Sequence, residues 1–263
     1  MTILPAYNDK ARELLEKVVK RDPTDFEAWN LLGEQYWRGG KIQMAKQCFE
    51  GALSKRQNSK SLRSLSMILR AMPEKDQKAK GANVKLSFQR AKQALELDDS
   101  NGMNWYVMSN AYLTLFVNSS GVMKRELIKK AYSGYERAEQ LGENYNPDLH
   151  YNRAQLFMYD EQWEKAHVEL TLASQYDPEW TLPVERLKNI ESFLKQVITC
   201  AANRGKLSQK RLTKLMEKVK GDNDVLCVAT LSHFDYLPFC LIGVNQQLES
   251  FLITGWFFFK KYF

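Results

Sequence analysis

Between Ala28 and Ala52 the chain reads AWNLLGEQYWRGGKIQMAKQCFEGA. Trp29, Leu32 and Tyr36 are large, Gly33 between them is small, and Ala45, Phe49 and Ala52 follow beyond a Gly-Gly turn. Both stripes have helical spacing, so the segment reads as two helices joined tightly. Gly33 and Ala45 let the two backbones approach, and Trp29, Leu32, Tyr36 and Phe49 fill the space around the contact. A hairpin of this kind cannot bury its apolar face alone and must stack on copies of itself. The copies are present. Ala11, Ala45, Ser87, Ala131 and Ala166 form one column, Leu15, Phe49, Ala91, Tyr135 and Leu170 a second four residues on, and Val18, Ala52, Ala94, Ala138 and Ala173 a third. Ala11 and Ala45 are 34 residues apart, the length of a two-helix repeat. The expected fold is all-α, a solenoid of stacked helix pairs.

The register predicts a lone second helix over 8–21 and full pairs over 26–57, 60–99, 102–143 and 147–178. Ser87 falls eight residues and Ala131 ten residues later than the period requires. Two polar, Gly- or Pro-punctuated stretches, 72–84 and 117–122, are read as the loops that absorb those residues. A first unit with only its second helix leads to the expectation of preceding sequence in a longer parent chain. A long helix over 182–203, with Leu187, Ile190, Phe193, Leu194, Val197 and Ile198 at helical spacing, is expected to cap the other end. The domain division is therefore a solenoid with its capping helix over 1–203, a basic helix over 204–220, and a divergent apolar tail over 221–263 that is expected to be poorly ordered.

The net charge of +7 is local: residues 186–220 carry ten Lys or Arg against two Asp or Glu. Such an asymmetry points to a polyanionic partner. Cys48, Cys200, Cys227 and Cys240 show no C-x-x-C spacing, and 1–10 lacks the apolar run of a secretory leader. Reduced thiols in cytoplasm or nucleus are expected. In the tail, Asp235, Pro238 and Asn245-Gln246-Gln247 interrupt every window long enough for a membrane span, so no membrane partner is expected. Of the three histidines, His150, His167 and His233, the first two have no Cys or carboxylate at metal-ligand spacing, and no phosphate loop, dinucleotide fingerprint or nucleophile elbow occurs. A non-enzymatic scaffold without cofactor, metal or small-molecule substrate is the expectation.

The first helices of such a solenoid line its concave face. Counting from Ala28 and Trp29, the inward columns hold Glu27, Asn30, Leu31 and Glu34, then Met103, Tyr106, Val107 and Asn110, then Asp148, Tyr151, Asn152 and Gln155. Acids, amides and tyrosines disfavour a clamp for a C-terminal carboxylate and suit an extended peptide with a basic side chain, its backbone held by Asn110 and Asn152. In a strict period of 34 residues Arg70 falls on the Tyr column, where a charge is out of pattern; it is read either as a residue near the insertion that reaches solvent or as an anion-binding group at the groove, beside Asp148. Beyond the repeats, Arg204, Lys206, Lys210, Arg211 and Lys214 populate the polar faces of a helix striped by Leu212, Leu215 and Val219, a surface suited to nucleic-acid backbone.

The strings EAWNLLGEQYW, SLSMILR, NPDLHYNRA and ASQYDPEW, in this order and with these two insertions, resemble a family of stress-responsive tetratricopeptide-repeat adaptors over roughly 8–220. That resemblance implies a protein of nucleus and cytoplasm that reads the N-terminal Met-Arg-Glu peptide of nascent tubulin at the ribosome and promotes tubulin mRNA decay. It implies that Arg70 and Asp148 face that peptide, and that the basic helix after Gly205 faces the ribosome and its RNA. It also implies an alternative role, as a scaffold binding histone-acetyltransferase coactivators and chromatin. The family's further oligonucleotide-binding-like β-domain is not expected here, because the sequence departs from the family's near Gly221.

Overall fold

A computed structural model of the chain describes residues 7–73, 76–118 and 123–202. The segment Arg204, Lys206, Lys210, Arg211 and Lys214, and the tail over 221–263, lie outside the described residues. The chain divides into two compact units between Glu185 and Arg186.

The first unit is helical throughout its described residues. Its helices are α1 (Asp9–Arg21), α2 (Phe26–Arg38), α3 (Ile42–Lys55), α4 (Ser59–Ala71), α5 (Gln77–Leu97), α6 (Gly102–Asn118), α7 (Met123–Ala138), α8 (Pro147–Tyr159) and α9 (Trp163–Tyr176). A five-residue π-turn, Glu139–Glu143, follows α7, and Gly142 takes a positive φ of 103° there. The last helix, α10 (Thr181–Ala202), crosses the division and supplies the described part of the second unit.

Helix starts are encoded by short polar side chains. Asn8, Asp25, Asn58, Asp76, Asn101 and Asn146 each accept a hydrogen bond from a backbone N–H in the first turn that follows. Helix pairs α2/α3, α4/α5, α6/α7 and α8/α9 pack as hairpins, and each first helix also packs on the preceding second helix. From α3 onward the expected columns are the core, whereas in α1, which packs chiefly on α2, Ala11 and Leu15 are only half-buried, Val18 is 43% exposed and Val19 is the buried residue. Ala45, Phe49, Ala52, Ala91, Ala94, Ala131, Tyr135, Ala138, Ala166, Leu170 and Ala173 are all fully buried. Gly33 is required by geometry, since a Cβ there would stand 2.9 Å from the Phe49 ring.

The Trp column has a second task. Trp29 Nε1 donates to the Pro23 carbonyl at 3.0 Å, and Trp105 Nε1 to the Asp99 carbonyl at 2.7 Å. His150 occupies the same column in α8, and its Nε2 meets the carbonyl of Asn144 at 2.9 Å, again six residues back. In these three repeats one ring nitrogen thus ties the incoming turn to its first helix, while in α4 the same column holds Leu62.

The two insertions are not simply loops. Residues 77–84 form the first turns of α5, which runs 21 residues where α3 runs 14. Asp76 caps that extension through Lys78 and Ala79, and the Ala- and Lys-rich sequence that follows favours helix. In the next hairpin, Val117 and Asn118 continue α6, which runs 17 residues against 13 in α2. Polar composition without the repeat's own period marked these stretches as irregular, yet an exposed helix needs no apolar stripe when caps and propensity support it.

The groove between Arg70 and Asp148

The groove is built by α4, α6 and α8, with polar atoms passed through from α5 and α7. Its register differs from simple counting. The caps Asp25 and Asn58 are 33 residues apart, one fewer than the period. Leu69, 4% exposed, therefore takes the Tyr column in α4, and Arg70 comes one position later. Measured from the caps, Arg70 lies on the helix face shared by columns five and nine, the inward face, because positions three, four and seven apart align. The out-of-pattern arginine is in the correct column for a groove residue.

Arg70 is partly exposed. Its Nη1 donates to Ser66 Oγ at 2.9 Å and to Ser87 Oγ at 3.0 Å. Ser87 Oγ also donates to the Ser66 carbonyl at 2.9 Å, and the two hydroxyl oxygens are 3.0 Å apart. Among the described residues no carboxylate lies within ion-pair distance of the guanidinium. Burial pulls its pKa down from the arginine range to about 10, and only the Tyr106 and Tyr135 hydroxyls act the other way. It remains a cation at neutral pH, with no carboxylate paired to it among the described residues.

Asn110 in α6 is the centre of the next cluster. Its Oδ1 accepts from the Tyr135 hydroxyl at 2.6 Å and from Asn152 Nδ2 at 3.1 Å, and its side chain also hydrogen-bonds Tyr106. The Tyr106 and Tyr135 rings are 6.5 Å apart. Burial pushes the Tyr106 phenol well above its ordinary range, Asp148 pushes it further, and Arg70 opposes. The Tyr106 hydroxyl is thus in the field of both groove charges. Asp148 itself has an exposed side chain at the first turn of α8, yet desolvation by the surrounding protein, with repulsion from Asp177, raises its carboxyl.

The expected groove residues consequently separate. Arg70, Tyr106, Asn110, Asp148 and Asn152 belong to one hydrogen-bonded and electrostatic neighbourhood. Tyr151 is 5% exposed and packs against Trp180 with ring centres 4.8 Å apart. Asn30, also assigned to the groove, is buried and ties α2 to the start of α4 by accepting from Ser61 Oγ at 2.6 Å. Glu34 pairs with Lys60 at 2.8 Å. Three groups were not anticipated as site residues: Ser66, Ser87 and Tyr135. The sequence did hold a signal for two of them, since Ser87 and Tyr135 put a hydroxyl in columns that are otherwise apolar. Among the described residues no three His, Cys, Asp or Glu side chains are grouped to hold a metal ion, and no helix is long and apolar enough to cross a membrane.

Four capped helix hairpins in one stack, packed on Ala, Gly and aromatic columns, define a tetratricopeptide-repeat solenoid. No family model matches the chain. It is 36% identical over 222 residues to bovine (Bos taurus) tetratricopeptide repeat protein 5, and 35% identical over the same length to the human protein. These matches cover 84% of the chain, which spans about half the length of either relative (50%). The chain belongs to the tetratricopeptide repeat protein 5 family. A solved structure of a thermophilic tetratricopeptide-repeat protein from Thermus thermophilus superposes with a TM-score of 0.56 at 17% identity, over 69% of this chain and 89% of that one, and bears on the fold alone.

Proposed function

We propose that this chain is a non-enzymatic adaptor whose groove reads a short N-terminal peptide carrying one basic and one acidic residue, the Met-Arg-Glu start of nascent tubulin. The observation that carries the reading is the charge arrangement around Tyr106. Arg70, without a carboxylate partner among the described residues, takes the acid, and Asp148 takes the base. Asn110 and Asn152, hydrogen-bonded to each other, supply amide groups for the peptide backbone. A protein that keeps a desolvated, unpaired cation in a groove sacrifices some stability there, and a ligand anion restores what the fold lacks.

In this reading the basic stretch from Arg204 to Lys214 docks on ribosomal RNA, so that the groove meets the peptide as it emerges, and the outcome is decay of the tubulin message. The setting is cytoplasmic, with a nuclear pool. Support for the ribosomal part is the local charge of the sequence and the family membership.

The test is recovery of the chain on stalled ribosomes that display Met-Arg-Glu or Met-Arg-Gln. Recovery on the first should exceed the second several-fold, fall with replacement of Lys206, Lys210, Arg211 and Lys214 by alanine, and weaken as salt rises. Equal recovery on both ribosomes overturns the peptide reading. Salt-insensitive recovery overturns the docking. Chromatin and coactivator association that persists in an Arg70→Glu, Asp148→Lys variant, with no ribosome recovery in the parent, would favour a coactivator scaffold instead.

A further inference from the structure

Ser87 stands in a column that is alanine in the other four units, at Ala11, Ala45, Ala131 and Ala166. In three of those units the alanine is fully buried, and Ser87 is itself 1% exposed. A buried hydroxyl is costly unless bonded, so packing gives no reason for it. Its bonds are to Arg70 Nη1 and to the Ser66 carbonyl. Ser66, 0% exposed, also accepts from Arg70 Nη1. Because the Ser87 proton goes to the Ser66 carbonyl, the Ser66 proton goes to Ser87 Oγ, and both oxygens turn lone pairs to the arginine.

Nη1 is thereby engaged by both hydroxyl oxygens, and the end-on fork formed by Nη1 and Nη2 is the more encumbered edge for a ligand. What remains is the Nε and Nη2 edge, whose donors have no acceptor among the described residues. Two parallel N–H groups at fixed spacing match the two oxygens of a carboxylate.

We infer that Ser66 and Ser87 are positioning residues that lock Arg70 Nη1 and leave its Nε–Nη2 edge as a side-on receptor for a planar carboxylate of the bound peptide. The inference rests on the peptide-reading proposal above and adds what selects the acid. The site discriminates by shape as well as charge. A lysine at position 70 would keep the cation but could not serve the serines and a carboxylate in one fixed geometry.

The experiment measures binding of the peptides Met-Arg-Glu and Met-Arg-Gln, each extended by the same neutral tail, to the parent, Ser87→Ala, Ser66→Ala and Arg70→Lys. Ser87→Ala should fold, since alanine fills the equivalent place in four units. The parent should prefer the acid. Each serine variant should lose about tenfold of that preference, the loss expected for one hydrogen bond to a charged group, with a smaller change in its binding of Met-Arg-Gln. Arg70→Lys should lose the preference almost entirely. Nitrogen-15 spectra of the Arg70 guanidinium should show slow rotation about Cζ–Nη1 in the parent and fast rotation in the double serine variant, with no ligand present. If the parent prefers the acid and the serine variants prefer it equally, or if rotation is equally fast throughout, the positioning role is wrong and the peptide reading stands. If the parent itself shows no preference, both fail.

Discussion

The hairpins α2/α3 and α4/α5 share one frame and use it oppositely. In α2/α3 the columns of large and small residues are spent on packing: the Phe49 ring lies against Gly33, Ala45 is fully buried, and Trp29 packs over Gly51. In α4/α5 the Ala column carries Ser87, the Phe column shrinks to Ala91, and Arg70 occupies an inward position. The α6/α7 hairpin makes the same change in another column, where Tyr135 keeps the buried ring and adds a hydroxyl that reaches Asn110. The departures are where polar atoms pass from the second helices through the core to the groove.

The contrast is sharpest as stability. Phe49→Ala should cost about 3–5 kcal/mol, because the ring is wholly buried and Gly33 cannot expand into the cavity. Thermal or denaturant unfolding measures it, and a loss under about 1 kcal/mol would mean that the consensus hairpin is not the packing unit described. Ser87→Ala, in the equivalent hairpin, is expected to change stability by less than that while changing acid selectivity.

A smaller effect compares the turns between helices. Gly40, at φ 71°, and Glu161, at φ 58°, hold the same place after α2 and α8. Both turns close with the same bonds, Lys41 N–H to Tyr36 O and Gln162 N–H to Phe157 O, each at 2.8 Å. Only the second puts a side chain in the left-handed region. Glu161→Gly should therefore stabilise the fold by up to about 1 kcal/mol. An unchanged or lower melting temperature would show that this turn is not strained.

Most of the frame was legible because it depends on residue size at fixed spacing. Ala, Gly and aromatic columns give the helix pairs, and the six Asx caps fix where helices begin. The site was legible in part. Tyr106, Asn110, Asp148 and Asn152 follow from the register of one clean repeat. Arg70 stands out as an anomaly but is misplaced by one column, since a single residue missing between caps shifts a helix face by 100° without altering the pattern of sizes. Ser66, Ser87 and Tyr135 were hidden because they belong to the packing columns by position and to the groove only by the reach of one oxygen. The insertions read as loops because an exposed helix carries no periodic apolar signal.

The central claim is that Arg70 faces the acid of a peptide ligand. A double-mutant cycle tests it most directly: the parent and Arg70→Gln, each titrated with the Met-Arg-Glu and Met-Arg-Gln peptides. The account predicts a coupling of about 1.5–3 kcal/mol between Arg70 and the peptide carboxylate. Coupling indistinguishable from zero, with both peptides losing affinity equally in the variant, would contradict it.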